Sequence, residues 1–220
     1  MILPCIASLF YFVFFSEAFF TQLLYGATKL FTVLWPAFAA ILILKVTLPK
    51  KGIDWQKHFE SLPLGLISGI IIVAAMLAAM QTPLGDIARA SAPNIRHKLT
   101  GLGILEHYWL FGLFLAVIHS LIEEYYWRWF VFGRLRSVTP IFCAHILAGA
   151  AFASHHVVIA SQFFGLGWGL FIGATVATGG IIWSVMYSRQ RTLAGPWLSH
   201  ITVDLGIEAI GHSILFGAFF

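Results

Sequence analysis

Charged residues are the first thing that this sequence has little of. Asp, Glu, Lys and Arg make up 10% of its 220 residues, whereas a soluble domain has roughly 25%. Hydrophobic residues account for 60% of the chain, and the mean hydropathy is +0.89. This balance excludes an ordinary soluble domain and indicates an integral membrane protein.

Cysteine is also scarce, since the chain has only Cys5 and Cys143. Both lie in apolar segments and neither belongs to a CxxC pair, which excludes a disulfide framework and a metal site of that spacing. The N-terminus lacks a basic region and a small-residue cleavage site, so we expect a retained helix and not a signal peptide. The net charge of +4 comes mostly from short connecting segments, which indicates loop topology and not nucleic-acid binding.

Seven stretches are apolar over nearly the length of about 20 residues that a membrane span needs. They cover residues 2–24, 30–46, 62–80, 108–132, 141–160, 163–187 and 194–216. The sequence therefore predicts an all-α polytopic transmembrane helix bundle of about seven (six to eight) spanning helices, as a single integral membrane domain over residues 1–220. The motif-bearing core covers residues 107–216, and the N-terminal helices cover residues 1–81. Ser16 and Glu17 interrupt the first stretch, so residues 16–29 are also compatible with an interfacial helix.

The basic residues of the connectors predict which side of the bilayer each connector faces. With seven spans, one side collects Lys45, Lys50, Lys51, Lys57, Arg134, Arg136, Arg189 and Arg191. The other side collects Lys29, Arg89, Arg96 and Lys98. Because cytoplasmic loops carry the excess of Lys and Arg, we expect a cytoplasmic N-terminus and a C-terminus on the opposite side.

The stretch LIEEYYWRWF, residues 121–130, places three ionisable groups inside one apolar helix. Each such group at mid-membrane costs about 2.5–3.5 kcal/mol on insertion scales. Glu124 and Arg128 are spaced i,i+4 with the acid first, which is a favourable pairing and accounts for two of the charges. Glu123 remains, with His119 one turn before it. An intramembrane carboxylate without a cationic partner indicates a functional site, here a candidate general base.

Matching polar groups occur in two later helices. The segment FASHH carries Phe152 and His156 at i,i+4, and SHITVD carries His200 and Asp204 one turn apart. A carboxylate and a histidine can hold and deprotonate a water, while a second histidine with a polar neighbour can stabilise an oxyanion. This set is therefore compatible with amide hydrolysis that has no covalent intermediate. No serine or cysteine lies in a triad-like arrangement with these groups.

Two other interpretations of the same residues remain open. A Glu/His/His/Asp set is able to bind a divalent metal for the same protease chemistry, although the chain has no HExxH motif. A non-catalytic membrane protein, such as an immunity or scaffold factor or an ion or proton carrier, is the other alternative. Glu208 and His212 continue the stripe of His200 and Asp204 along the last helix, as a proton relay would require.

The three segments resemble the signature of the CPBP family of CAAX proteases and bacteriocin-processing proteins. That signature is EExxxR, FxxxH and HxxxN or HxxxD in this order, and the resemblance covers about residues 110–205. It implies a glutamate-type intramembrane endopeptidase without a metal cofactor. The implied roles are base for Glu123, water activation for His156 and oxyanion stabilisation for His200 and Asp204. Supporting roles are implied for Glu124, Arg128 and Phe152.

The resemblance also implies the partners and the location of the protein. The expected partners are the lipid bilayer and a membrane protein or lipidated peptide, cleaved near its C-terminus. The compact chain with short termini favours a prokaryotic member in the inner (cytoplasmic) membrane.

Three details of the sequence depart from the family pattern or conflict with its implied geometry. Many members have Gly after the arginine, where this chain has Trp129. The pair His155–His156 leaves a choice, and the spacing from Phe152 selects His156. Glu123 lies about ten residues from the cytoplasmic end of its predicted helix and His156 about sixteen, a depth difference of roughly 9 Å at 1.5 Å per residue. A helix that continues through residues 133–140, or a tilted helix, would remove this difference.

Overall fold

The computed structural model of the protein describes residues 1–14, 18–45 and 54–217, and these residues form an all-α bundle without a strand among them. The helices, numbered here from α1 to α9, have these bounds: α1 Leu3–Leu9, continued by a π-helical stretch Phe10–Phe14; α2 Ala18–Phe38, continued by Ala39–Ile43; α3 Trp55–Ala79; α4 Pro83–Ala90; α5 Ala92–Gly101; α6 Leu105–Val138; α7 Ile141–Phe164; α8 Leu166–Gln190; α9 Ala194–Phe216.

Five of these helices are long and apolar enough to cross a membrane within the described part of the chain: Gly26–Ile43, Trp55–Ala79, Leu105–Val138, Ile141–Phe164 and Leu166–Gln190. Large apolar side chains on their outer faces are exposed, as expected for lipid contact. The polytopic bundle predicted from the sequence is confirmed, and the protein is an integral membrane protein. The helix α9 has the predicted bounds of residues 194–216. It packs along α3 within the bundle, although Asp204 and Glu208 make it more polar than the five spans.

The N-terminal helices differ from the prediction. Within the first expected span, residues 2–24, the described residues are helical over Leu3–Phe14 and again from Ala18 onward. The predicted interruption at Ser16 and Glu17 lies outside the described residues. The second expected span begins at Ala18 instead of residue 30, so residues 18–29 belong to a long helix and do not form a separate interfacial segment.

Local sequence signals set the helix ends and the short hairpins of the core. Asp54 caps α3 by accepting a hydrogen bond from the backbone N–H of Lys57. Gly165 has φ +78°, a conformation that glycine adopts without strain, and it alone separates α7 from α8. Thr192 accepts a hydrogen bond from the N–H of Ala194 at the start of α9. These short connections make α7, α8 and α9 successive antiparallel neighbours.

The helix α6 is longer than predicted, and this length removes the expected depth difference. It continues through residues 133–138 and does not end at Phe132. Glu123 consequently precedes the end of α6 at Val138 by 15 residues, and His156 follows the start of α7 at Ile141 by 15. Two residues, 139 and 140, join these helices, so both side chains lie at nearly the same depth.

Glycines bring α3 and α9 into backbone contact. A Cβ atom on Gly65 would collide with the carbonyl oxygen of Gly195, and one on Gly69 would lie 2.7 Å from the Cβ of Thr202. Small residues spaced four apart allow such close approach of membrane helices. The contact holds α9, and therefore His200, against the remainder of the bundle.

We expect Gly65→Val to lower the free energy of unfolding by about 1–3 kcal/mol, because the added side chain forces α3 and α9 apart. The matched control is Gly179→Val on α8, where an added Cβ meets no atom within 4 Å. Thermal unfolding in detergent compares the two variants. Equal stability of both variants would contradict the close packing of α3 on α9.

Candidate active site

Glu123 lies at the centre of a buried cluster in which three histidines surround its carboxylate. The Nε2 atoms of His119 and His155 lie 3.2 and 3.4 Å from Glu123 Oε1. The Nε2 atom of His200 lies 3.8 Å from the other oxygen, Oε2. The Glu123 residue is 5% exposed. Groups from α6, α7 and α9 therefore meet at one carboxylate, as the sequence analysis expected of Glu123 and His200.

Glu124 orients His200 from the opposite side. The Nδ1–H of His200 donates to Glu124 Oε1 at 2.9 Å, and Arg128 Nε lies 3.1 Å from Glu124 Oε2. Glu124 and Arg128 are 0% and 1% exposed, so this ion pair is removed from solvent. Because Nδ1 is committed to Glu124, the Nε2 atom of His200 faces Glu123. A carboxylate that holds one ring nitrogen in this way fixes the orientation of the imidazole.

Aromatic rings enclose the ion pair and His200. The guanidinium of Arg128 lies 4.5 Å from the ring centre of Phe152 and 5.0 Å from that of Trp183, a cation–π geometry. The Trp183 ring stacks on His200 at 4.1 Å. Its indole N–H donates to Ser199 Oγ at 2.9 Å. Trp183 is not predictable as a site residue from the sequence, since a tryptophan in an apolar helix gives no signal of its own.

The spacing from Phe152 selects His156 from the adjacent pair His155–His156, whereas His155 is the member that contacts Glu123. His155 is buried, contacts Glu123 and lies parallel to Trp127 at 6.1 Å between ring centres. His156 packs edge-on against Phe152 at 5.0 Å, as the spacing predicted, and against His155 at 4.1 Å. Its ring lies near the Glu123 carboxylate. Among the described ion pairs of Glu123, none involves His156 at 4 Å or less. The FxxxH spacing therefore identified a ring that packs on Phe152, and the adjacent histidine contacts Glu123.

Asp204 lies beside His200, while the remainder of the α9 stripe lies elsewhere. Asp204 Oδ1 is 3.6 Å from His200 Nε2. Further along α9, the side chain of Glu208 lies close to Gly112, and the Tyr108 hydroxyl donates to the Glu208 carbonyl at 2.9 Å. His212 packs among aromatic rings at the same end of α6. The outer half of the stripe thus lies among rings of an aromatic cluster, which does not favour the proton-carrier interpretation.

Lys29 is a member of the cluster that the sequence analysis placed in a connector, and that assignment was wrong. It lies in α2, inside the candidate span Gly26–Ile43, and its Nζ is 3.1 Å from His119 Nε2. The error arose because the predicted span started at residue 30. A lysine directly beside an apolar stretch is predicted to be a loop residue unless the start of the helix is known.

A small cavity opens beside the carboxylate. It offers about 20 Å³ to the centre of a water molecule, and one water needs about 10–15 Å³ on this measure. Its polar lining consists of Thr28, Lys29, Thr32, Glu123 and His155, and its apolar lining of Pro4, Ile122, Tyr126 and Trp127. The space therefore suits one water molecule with polar partners from α2, α6 and α7.

The same residues fit a metal ion only loosely. Glu123, His155 and His156 each offer one ligand atom, and these atoms lie within 4.8 Å of one another. Two ligands on a tetrahedral zinc ion with bonds of about 2.1 Å are about 3.4 Å apart. The donor types suit a divalent ion. To hold it, the carboxylate and the imidazoles would have to come about 1 Å closer to one another.

A known protein family matches the part of the chain that carries the candidate site. Residues 105–206 match the family described as type II CAAX prenyl endopeptidase Rce1-like. Over this segment, 102 of its 220 residues, the chain is similar to that family. No curated protein and no solved structure matches it.

The matched segment runs from the start of α6 to Gly206 in α9. It includes Glu123, His155, His200 and Asp204, and it leaves out α1, α2 and α3. Lys29 lies outside the matched residues, so its contact with His119 is a feature of the fold of this chain and not of the family signature.

One departure from the family pattern has a local explanation. Trp129, where many members have glycine, stacks on Tyr125 at 5.1 Å. Both residues belong to the π-helical stretch Tyr125–Phe132, and a second such stretch, Leu115–His119, lies before the two glutamates. π-Helical turns are frequent at functional sites. They rotate the flanking side chains relative to those of a regular α-helix.

Proposed function

We propose that this protein is a glutamate-type intramembrane endopeptidase that hydrolyses a peptide bond near the C-terminus of a membrane-associated, prenylated substrate. The cavity at Glu123 is the observation that carries this proposal. It provides room for one water next to a buried carboxylate, at mid-length of a spanning helix. A water held there is close to a base and shielded from bulk solvent, as amide hydrolysis within a membrane requires.

The reaction begins with Glu123 as general base. It takes a proton from the water as the water oxygen attacks the scissile carbonyl carbon, and His155, 3.4 Å from Oε1, orients the carboxylate. The protonated Glu123 then gives this proton to the leaving nitrogen as the C–N bond breaks. The products are a new carboxylate and a new amine, and no bond to the protein forms at any stage.

His200 stabilises the oxyanion of the tetrahedral intermediate. Three carboxylates lie within 3.8 Å of its ring, those of Glu123, Glu124 and Asp204, and they favour the doubly protonated imidazolium. Its Nδ1–H is held by Glu124, so the Nε2–H is the donor available to a substrate oxygen. One such donor contributes a factor of about 10²–10³ to kcat.

A prenylated peptide suits the setting of this site. The apolar outer surface of the bundle is in lipid, where a prenyl chain also partitions, and the family description names prenyl endopeptidases. We place the ends of α6 and α8 in the cytoplasm of a prokaryotic cell. These ends carry Arg134, Arg136, Arg189 and Arg191, and α7 brings both to one membrane face.

The testing experiment uses the full chain in liposomes with an internally quenched peptide that ends in a farnesylated CAAX sequence. We expect cleavage after the modified cysteine, with product masses that correspond to the addition of one water. With hydroxylamine present, no hydroxamate product is expected, because no acyl-enzyme forms. An uncleaved peptide would contradict the endopeptidase proposal, and a hydroxamate would contradict the role of Glu123 as a base.

A metal-dependent form of the same protease is the second candidate, and the ligand spacing of Glu123, His155 and His156 favours it. Dialysis against a chelator separates the two forms. We expect cleavage to persist after chelation. Loss of cleavage that added zinc restores would establish the metal-dependent form instead.

Comparison of the two adjacent histidines tests the assignment in α7. We expect His155→Phe to lower kcat about tenfold to a hundredfold, because Glu123 loses a hydrogen-bond partner on a charged group. His156→Phe keeps the packing on Phe152 and should change kcat less than threefold, within the range of a neutral substitution. Initial rates on the farnesylated peptide decide between them, and a larger loss for His156→Phe would reverse the assignment.

A further inference from the structure

One nitrogen atom at the site has two competing partners. His119 Nε2 lies 3.1 Å from Lys29 Nζ and 3.2 Å from Glu123 Oε1. The nitrogen of a neutral imidazole either carries a hydrogen and donates, or has a lone pair and accepts. An ammonium group only donates, and a carboxylate only accepts. His119 Nε2 therefore satisfies one of these partners at a time.

The two arrangements differ in what they leave for the catalytic water. If Nε2–H donates to Glu123, a hydrogen bond occupies Oε1 and the carboxylate is a weaker base. If Lys29 donates to Nε2, the ring carries its hydrogen on Nδ1, and Oε1 keeps the lone pair that the other hydrogen bond would occupy. Lys29 and Glu123 both line that cavity. The two hydrogen-bond arrangements of His119 therefore differ next to the position where the water would bind.

We infer that Lys29 is a positioning residue that holds His119 in the Nδ1–H form and thereby keeps Glu123 available to the catalytic water. The expected effect of Lys29 on the rate rests on the proposed function. The position of the hydrogen on the His119 ring does not depend on that function. Lys29 comes from α2, outside the matched residues 105–206, so the N-terminal helices contribute to the chemistry of the core.

The first test observes His119 directly and needs no substrate. The full chain is labelled with ¹⁵N-histidine, placed in lipid nanodiscs and studied by NMR, and the His119→Phe variant identifies the His119 signals among those of nine histidines. We expect an unprotonated Nε2 and a protonated Nδ1 in the natural protein. In Lys29→Met, we expect the hydrogen to move to Nε2. A protonated Nε2 in both proteins would overturn the inference, whether or not any peptide is cleaved.

The second test uses initial rates on the farnesylated peptide. We expect Lys29→Met to lower kcat about tenfold to a hundredfold with KM little changed, because the new Nε2–H bond stabilises the ionised base. Lys29→Arg should retain most of the activity, since it restores a donor. Lys57→Met, at the first turn of α3, is the control for loss of a lysine.

The double variant separates this role from a purely structural one. In Lys29→Met/His119→Phe, the competing donor is absent, so kcat should recover several-fold relative to Lys29→Met alone. Additive losses in the double variant would overturn the inference. A protein in which Glu123→Gln abolishes cleavage while Lys29→Met leaves kcat unchanged would also overturn it, with the proposed function intact.

Discussion

Glu123→Gln is expected to lower kcat for the farnesylated peptide by about 10²–10⁴-fold, the usual contribution of a general base. Glutamine has nearly the same shape and still accepts hydrogen bonds from the surrounding imidazoles through its carbonyl oxygen. It cannot take a proton from water at neutral pH. The loss should therefore appear in kcat, with KM changed little, because the substrate does not depend on this proton for binding.

A matched control is available on the same helix. Glu106→Gln removes the same charge from an exposed position near the start of α6 and should leave the rates unchanged. Circular dichroism and elution volume in detergent establish that both variants are folded. If Glu123→Gln raised KM and left kcat unaltered, Glu123 would bind substrate and would not act as the base.

Arg128→Met is expected to lower the free energy of unfolding by about 3–5 kcal/mol, the cost of leaving one partner of a buried ion pair alone. Glu124 is fully buried, and Arg128 is its cationic partner at 3.1 Å. Without that partner, an uncompensated carboxylate would lie in the protein interior next to Glu123. His200, which depends on Glu124 for its orientation, should lose its position as well.

The double variant Glu124→Leu/Arg128→Met should regain much of this stability, since removing both charges is far less costly than removing one. Titration with SDS in mixed micelles measures the two free energies, and Arg134→Met at the exposed end of α6 is the control. The double variant should remain inactive, because His200 no longer has its acceptor. Equal stability of Arg128→Met and the natural protein would contradict the ion pair.

The motif residues were predictable because their spacing follows helix geometry. Glu123, Glu124 and Arg128 lie within six residues, and His200 and Asp204 are one turn apart, so each group has one possible arrangement on its helix. The bounds of α9 were also predictable, since a loop with Arg191 and Thr192 precedes the apolar segment. Contacts between helices were different, because they depend on how each helix is rotated toward its neighbours.

His155 and Lys29 show this limit. Two adjacent histidines point about 100° apart on a helix, and only the packing of α7 on α6 determines which one reaches Glu123. Lys29 is 90 positions from His119 in the chain, and no periodicity connects them. The length of α6 was missed for a simpler reason. Its last turns carry Arg134 and Arg136, which a hydropathy criterion assigns to a loop although the helix continues beyond the apolar part.

An experimental density map at a resolution that resolves waters, recorded with anomalous data, tests the central claim most directly. We expect one peak in the cavity within about 3.2 Å of Glu123, a hydrogen-bond distance, without an anomalous signal. A peak with anomalous scattering and bonds of about 2.1 Å to Glu123, His155 and His156 would replace the water by a metal. A cavity without any peak, with the carboxylate enclosed by its histidines alone, would contradict hydrolysis at this site.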